Sequence, residues 1–98
     1  MRKILTWSEK MDFSKEMWEK YGHVIASSYR IKAMKSLAHE MKMPSQIAKD
    51  TNINPNHISK TLKELKSLEL VECVNPKVRI GKLYKLTDKG EEIVKNIK

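Results

Sequence analysis

The sequence contains few of the residues that build disulfide scaffolds, phosphate-binding glycine loops or membrane helices. Its 98 residues include one cysteine, three glycines and three prolines, and 6% are aromatic. A lone cysteine, Cys73, excludes an intrachain disulfide and a multi-cysteine metal site, and it fits a reducing cytoplasm. The apolar stretch Ile4–Trp7 is too short for a signal peptide, and no later stretch approaches the roughly 18 apolar residues of a membrane helix.

Positive charge is what the sequence has in excess. Twenty Lys and Arg against twelve Asp and Glu give a formal net charge of +8, which favours polyanionic partners. With 40% hydrophobic and 33% charged residues, the composition indicates a folded, soluble chain rather than a disordered or membrane-embedded one. The length fits one domain, 1–98, with a single hydrophobic core.

The N-terminal part, 1–41, is predicted to be helical. Apolar residues recur at helical spacing between Asp12 and Met41, which predicts one long helix or two helices joined near Gly22 and His23. A second apolar line follows a neighbouring face of the first half, and a small domain has little core left to cover it. We therefore expect this face to pair two chains as a homodimer, although a ligand pocket is an alternative. Its residues are Phe13, Trp18, Tyr21 and Ile25.

Two helices separated by a tight turn follow in the central part, 42–90. Pro44 marks the start of a short helix, because proline suits the first turn and disfavours continuation of a preceding helix. Asn54 is placed to cap a second helix whose first residue is Pro55. Apolar residues from Ile58 to Leu65 recur on one side of that helix and should face the core. The arrangement predicts a helix-turn-helix, whose second helix can enter a major groove of DNA.

A hairpin and a last helix complete the predicted fold. Val71–Val74 and Leu83–Leu86 are rich in strand formers around a breaker at Asn75–Pro76, and Thr87 is a plausible cap for a C-terminal helix, 91–98. The order of elements predicts a mainly α fold with a small β-hairpin. This is a winged helix-turn-helix with an N-terminal helical extension, in which the hairpin is the wing.

The surface predicted to contact DNA combines the second helix with the hairpin. Opposite its apolar stripe the helix carries amides, hydroxyls and lysines, which suit base edges and phosphates, and Glu64 is the nearest acid. An ordinary solvated face has a similar composition, but the hairpin adds four basic residues and no acid between Asn75 and Lys85. The predicted DNA-binding residues are Ser45, Gln46, Asn54, Asn56, His57, Ser59, Lys60, Lys63, Lys77, Arg79 and Lys82.

Several of these segments resemble a known group of regulators. Pro44–Ala48 and Ile53–Leu65 resemble winged-helix transcription regulators, above all small archaeal members of the broad ArsR/MarR-like group. Leu70–Cys73 and Gly81–Gly90 look like the wing and the closing "LT-x-K-G" segment of that group. The resemblance implies a dimeric regulator with its recognition helix from Pro55 to about Glu69 and its wing at 75–82.

The sequence departs from that group at two helix ends. Met43 stands where such proteins often have a Ser or Thr cap, so we expect the short helix that begins at Pro44 to lose capping energy. Glu69 stands where a C-terminal glycine is common. A non-glycine residue is strained in the left-handed conformation, so the helix is expected to end differently or to accept that strain.

Other site chemistries have little support in the sequence. Cys73 is interpreted as a small apolar side chain of a strand, with redox or metal sensing as the alternative. His23, His39 and His57 are scattered, so we expect no metal site and no cofactor. No grouped nucleophile and base and no phosphate-binding loop indicate an enzyme.

Two non-enzymatic functions compete with DNA binding. A winged helix can serve as a protein-interaction or assembly module, but such a module should have an apolar or acidic second helix. RNA binding fits the charge, yet Tyr84 is the one aromatic residue that the predicted strands offer for stacking bases. Membrane binding is not expected.

Overall fold

The computed structural model describes residues 14–97, which form five helices and one hairpin. Phe13, one of the predicted dimer contacts, lies outside these residues. The helices are α1 (Lys15–Ile25), α2 (Ser28–Ser36), α3 (Pro44–Thr51), α4 (Pro55–Ser67) and α5 (Asp88–Lys95). Strands β1 (Val71–Cys73) and β2 (Tyr84–Leu86) pair antiparallel between α4 and α5, with Val71 opposite Leu86 and Cys73 opposite Tyr84.

Local capping signals set the starts of the later helices, as the sequence predicts. Pro44 and Pro55 occupy the first turns of α3 and α4. The Asn54 side chain accepts a hydrogen bond from the backbone N–H of Asn56 at 2.8 Å. Thr87 caps α5 in the same manner, because its hydroxyl accepts from the backbone N–H of Gly90 at 3.1 Å. These bonds satisfy donors that have no partner within the helix.

The predicted joint of the N-terminal helices near Gly22 and His23 is wrong. The chain leaves helical geometry after Ile25, and Gly22 lies inside α1. Ser27 is extended at φ −137° and caps α2, because its hydroxyl accepts from the backbone N–H of Arg30 at 3.4 Å. A capping serine therefore interrupts a helical pattern of apolar residues that continues across it.

The predicted continuation of this helical region to Met41 is also wrong. The α2 helix ends at Ser36, and Lys42 pairs with Tyr84 beside the hairpin. The Lys42 N–H donates to the Tyr84 carbonyl at 3.0 Å, and the Tyr84 N–H donates to the Lys42 carbonyl at 2.8 Å. The chain has to be extended at Lys42 to make these two bonds.

A single hydrophobic core joins the described helices and the hairpin. The α2 helix lies at its centre and packs on α1, α3, α4 and α5. Fully burying a large aliphatic side chain contributes about 1.5–3 kcal/mol relative to leaving it exposed, so this core is the main source of stability. Its largest fully buried side chains are Met34, Ile47, Ile58, Leu65, Leu70, Ile93, Val24 and Val71.

The end of α4 shows how the departure at Glu69 is accommodated. Glu69 adopts the left-handed conformation at φ 63°, and the Leu70 N–H donates to the Leu65 carbonyl at 3.0 Å. The helix therefore ends in the geometry that usually carries glycine. Lys20, 9% exposed, reaches over from α1 and donates to the last carbonyl of this turn, that of Leu68. A cation at a helix C-terminus is stabilising, since it faces the negative end of the helix dipole.

Glu69 also belongs to an ion cluster that ties α1 to the end of α4 and the start of α5. Lys20 Nζ lies 3.3 Å from carboxylate oxygens of both Glu69 and Glu16. Lys89 Nζ lies 3.0 Å from Glu16 and 3.4 Å from Glu69. Hydrogen bonds from Lys89 and Lys20 hold the pKa of Glu16 below its usual value, and bonds from Lys20 and Lys89 do the same for Glu69.

The cluster predicts an acid-labile contribution to stability. Both carboxyl pKa values are lowered in the folded state, so the stabilisation is present above the unfolded pKa near 4.3 and is lost as pH falls through the folded pKa. Urea unfolding between pH 6 and pH 3 should show a shallower loss of stability in Glu16→Gln/Glu69→Gln than in the natural chain. Glu19→Gln, an exposed change on the same helix, is the control. Parallel pH curves for all three proteins would contradict the prediction.

Candidate nucleic-acid interface

The α4 helix exposes the polar face that its sequence pattern predicts. Ile58, Leu62 and Leu65 are at most 3% exposed and attach the helix to the core. The residues predicted to contact DNA from this helix all lie at exposed positions. They are Asn56, His57, Ser59, Lys60 and Lys63. The face can therefore present amide, hydroxyl and ammonium donors to a groove without disturbing the core.

Glu64, the acid nearest this face, is paired with a cation from another helix. Arg30 Nε lies 3.2 Å from Glu64 Oε1. The same guanidinium donates from Nη1 to the His23 carbonyl at 2.8 Å, close to the end of α1. The side chains of Arg30 and Glu64 are 23% and 38% exposed. The pair therefore lies at the margin of α4 and neutralises its acid.

His57 has an aromatic neighbour that sequence reasoning missed. The rings of His57 and Tyr29 lie 5.1 Å apart at an interplanar angle of 44°. Tyr29 belongs to α2 and is 40% exposed, so the exposed surface extends from α4 onto that helix. No local pattern predicts this pair, because its members are far apart in the chain.

An open groove of about 560 Å³ runs between α3 and α4. It brings together three predicted contact residues, Ser45, Gln46 and Asn54, and adds Lys49, which sequence reasoning did not select. Gln46 Oε1 accepts from the backbone N–H of Met43 at 2.8 Å, so this side chain replaces part of the missing serine or threonine cap. Its amide NH₂ keeps two donors for a ligand.

The wing, 75–82, is held at its base by one asparagine. Asn75 Oδ1 accepts from the Leu83 N–H at 2.7 Å, and Asn75 Nδ2 donates to the Gly81 carbonyl at 3.2 Å. Gly81 adopts φ +80°, a conformation that glycine reaches without steric cost. The hydrogen bonds of Asn75 and the backbone conformation of Gly81 together hold the base of the wing in place.

The wing exposes its charges beside the start of α3. Lys77 and Arg79 are exposed and Lys82 is half-buried, and Ile80 is 92% exposed between them. A methyl group added at Gly81 would lie 4.0 Å from Met43 Sδ, the residue before α3. The described structure thus brings the wing next to the helix-turn-helix.

The described residues of the predicted dimer face lie on one side of α1. Trp18 and Tyr21 pack edge to face at 5.9 Å and are half-buried, whereas Ile25 is 47% exposed. The Tyr21 hydroxyl donates to the Asn96 carbonyl at 3.3 Å, so part of this face already contacts the segment after α5. Among the described members, Ile25 has the most surface left for a partner.

Residues 14–97 contain no group of three or more His, Cys, Asp or Glu that could hold a metal ion. His23, His39 and His57 are exposed on separate elements. Cys73 is half-buried, with its Sγ 3.7 Å from Asn75 Oδ1. No helix in this part of the chain is long and apolar enough to cross a membrane.

The architecture of helix-turn-helix, hairpin and closing helix defines a winged helix, and a comparison of sequences assigns the family. The winged helix-turn-helix family model matches residues 31–98, more than two thirds of the chain. The chain therefore belongs to the winged helix-turn-helix family. No curated protein matches it significantly.

Solved structures with the same fold include three proteins from bacteria. The homodimeric winged helix-turn-helix DNA-binding domain of a possible ArsR-family regulator from Mycobacterium bovis matches with TM-score 0.65 and 20% identity, over 90% of this chain and 78% of that one. A mutant of Lactococcus lactis ZitR matches with TM-score 0.65 and 22% identity, over 95% and 57%. MepR of S. aureus, solved as a DNA complex, matches with TM-score 0.51 and 20% identity, over 90% and 64%.

At 20–22% sequence identity, the similarity to these structures shows that this chain has the same fold. The predicted winged helix-turn-helix class is confirmed, while an archaeal origin stays a prediction. The chain spans less than two thirds of the ZitR and MepR chains.

Proposed function

We propose that this chain binds double-stranded DNA sequence-specifically as a homodimer and regulates transcription. In this proposal α4 is the recognition helix and enters the major groove, while the basic wing contacts the flanking phosphate backbone. The observation that carries the proposal is the exposed polar and lysine face of α4, whose nearest acid is paired with Arg30.

The charge of this surface favours DNA over a protein partner. A protein-interaction helix should expose apolar or acidic residues, whereas α4 exposes Lys60 and Lys63. The wing contributes three more cations and no acid between Asn75 and Lys82. The wing lies beside Met43 at the start of α3, in the same helix-turn-helix as α4, so the two basic elements can reach one duplex together.

Duplex binding is tested by fluorescence anisotropy with a labelled random duplex at low salt. We expect binding that weakens steeply with salt, because cations on the protein replace counterions on the phosphates. Duplexes selected from a random library should then yield an inverted repeat bound more tightly than random DNA. No duplex binding at low salt, or stronger binding to a matched RNA hairpin, would refute the proposal.

Neutralising the wing should lower affinity without changing sequence preference. In Lys77→Gln/Arg79→Gln/Lys82→Gln the loss is expected to be similar for operator and random duplex, because phosphate contacts carry little sequence information. The slope of log K against log salt should become shallower by about 0.9 for each phosphate that the protein no longer neutralises. Lys15→Gln/Lys32→Gln/Lys95→Gln removes the same charge from exposed positions outside the interface. An equal salt slope in both triple variants would show that the wing does not contact the phosphate backbone.

Dimerisation through α1 is supported by the apolar surface that the described chain leaves uncovered. Ile25 is nearly half exposed beside the aromatic pair of Trp18 and Tyr21. The similar domain from Mycobacterium bovis is described as homodimeric. A two-fold dimer would set two recognition helices about one DNA turn, roughly 34 Å, apart and would require a palindromic site.

Ile25→Glu should give a folded monomer with much weaker operator binding, because it places a carboxylate in the apolar contact. Sedimentation measures the assembly, and anisotropy measures the affinity for full and half sites. His23→Glu places the same charge on the opposite side of α1 and should stay dimeric. If Ile25→Glu also stays dimeric, the interface lies elsewhere.

A further inference from the structure

The margin of the recognition helix is attached to α2, a helix of the N-terminal part of the chain. Arg30 of α2 reaches Glu64 on one side and the His23 carbonyl on the other, at 3.2 and 2.8 Å. Two of its nitrogens, Nε and Nη1, therefore donate to the protein itself. This arrangement differs from a phosphate contact, in which the guanidinium faces the solvent and the DNA.

Glu64 is close to the lysines that the proposed function uses. It follows Lys63 directly and lies one helical turn after Lys60, a spacing at which side chains on a helix are neighbours. An unpaired carboxylate there would have two unfavourable effects. It would repel any phosphate within about 8 Å, the screening length at physiological salt, and it would attract the Lys60 ammonium away from DNA.

We propose that Arg30 is a positioning residue of the DNA interface, which acts by holding and neutralising Glu64 so that Lys60 stays available for DNA. The inference rests on the proposed DNA binding and adds a residue to it. It assigns α2 a part in recognition without a DNA contact of its own. It also explains why the recognition helix can carry an acid at its margin.

Four proteins test the inference by anisotropy with one duplex: the natural chain, Arg30→Met, Glu64→Gln and the double variant. Arg30→Met should weaken binding about fivefold or more, the size of one additional charge repulsion near phosphate. Glu64→Gln should bind at least as tightly as the natural chain, because it removes an acid and leaves the Arg30 cation. The double variant should return to the affinity and the salt slope of the natural chain, because both members of the neutral pair are removed. Lys32→Met, an exposed position on the same helix, controls for the change in net charge.

Two results would overturn the inference. A double variant as weak as Arg30→Met would show that Arg30 acts without Glu64. In that case a salt slope shallower by about 0.9 would indicate that Arg30 contacts DNA directly, and an unchanged slope would indicate that Arg30 acts by stabilising α1. Weaker binding by Glu64→Gln than by the natural chain would show that the Glu64 carboxylate favours DNA binding instead of opposing it. Thermal melting accompanies each protein, and Arg30→Gln, which also removes the charge, replaces Arg30→Met if the latter does not fold. Absence of duplex binding by the natural chain would instead refute the proposed function.

Discussion

Gly90→Ala is expected to lower the free energy of unfolding by about 3 kcal/mol or more, at the upper end of what overpacking costs. A Cβ at this position would lie 2.1 Å from the Leu70 carbonyl oxygen and 3.1 Å from its carbon. Both are backbone atoms of a buried residue and cannot rotate away. The added methyl would also approach Leu86 Cδ2 at 3.3 Å.

The clash of the added methyl group with Leu70 would disturb a contact that holds α5 against the rest of the domain. The Leu70 carbonyl accepts from the Thr87 N–H at 3.0 Å, and Thr87 in turn caps α5 through Gly90. Moving α5 outward to admit a methyl group would break this bond and open the core around Ile93, which is fully buried. For a domain of this size the expected loss corresponds to a Tm lower by roughly 15 °C.

Gly22→Ala is the matched control for this prediction. Gly22 also lies in a helix, α1, but nothing is within 4 Å of the position its Cβ would take. Alanine there should be stabilising by about 0.5–1 kcal/mol, because it favours the helix more than glycine does. Thermal melts of the two variants should therefore move in opposite directions. Equal melting temperatures would mean that α5 does not need the close approach at Gly90.

Elements with local signals were predictable from the sequence. Asn54 before Pro55 and Thr87 before α5 are capping residues whose partners lie two or three residues away, so the pattern and the bond occupy the same window. The joint at Ser27 has a comparable signal in its capping hydroxyl. That signal is masked because apolar residues at Val24 and Ile31 keep the helical spacing across the break.

Features made by distant residues were not predictable in this way. Arg30 meets Glu64 and Tyr29 meets His57 through the packing of α2 on α4, and no spacing in the sequence encodes that contact. The pairing of Lys42 with Tyr84 involves one extended residue, too short for an alternating pattern. The exposed face of α4 could be predicted from the sequence. The contact of α2 with the margin of that face could be identified only from the folded structure.

Glu69 shows a compensation that a family pattern does not contain. The resemblance suggested strain or a different helix end, and the residue does adopt the left-handed conformation. Its carboxylate then pairs with Lys20 and Lys89, contacts that a glycine would lack. A charged residue can therefore occupy this position because α1 and α5 supply cations to it.

Lys60→Ala/Lys63→Ala is expected to weaken operator binding by roughly thirtyfold or more, if each lysine contributes about 1 kcal/mol or more to base or phosphate contacts. Both residues are exposed on α4, opposite Ile58 and Leu62, so their truncation should leave the Tm nearly unchanged. Anisotropy with operator and random duplexes measures the affinity.

Two controls separate this effect from charge and from folding. Lys15→Ala/Lys95→Ala removes the same two charges from exposed positions on α1 and α5 and should bind nearly as the natural chain does. Leu62→Ala, at 3% exposure, should behave oppositely to the lysine variant and lose about 2–5 kcal/mol of stability through the cavity it leaves. A lysine variant that binds the operator with natural affinity would show that α4 is not the helix that reads DNA. The apolar side of α4 would then contribute to folding alone, and the basic wing would have to account for the remaining duplex binding.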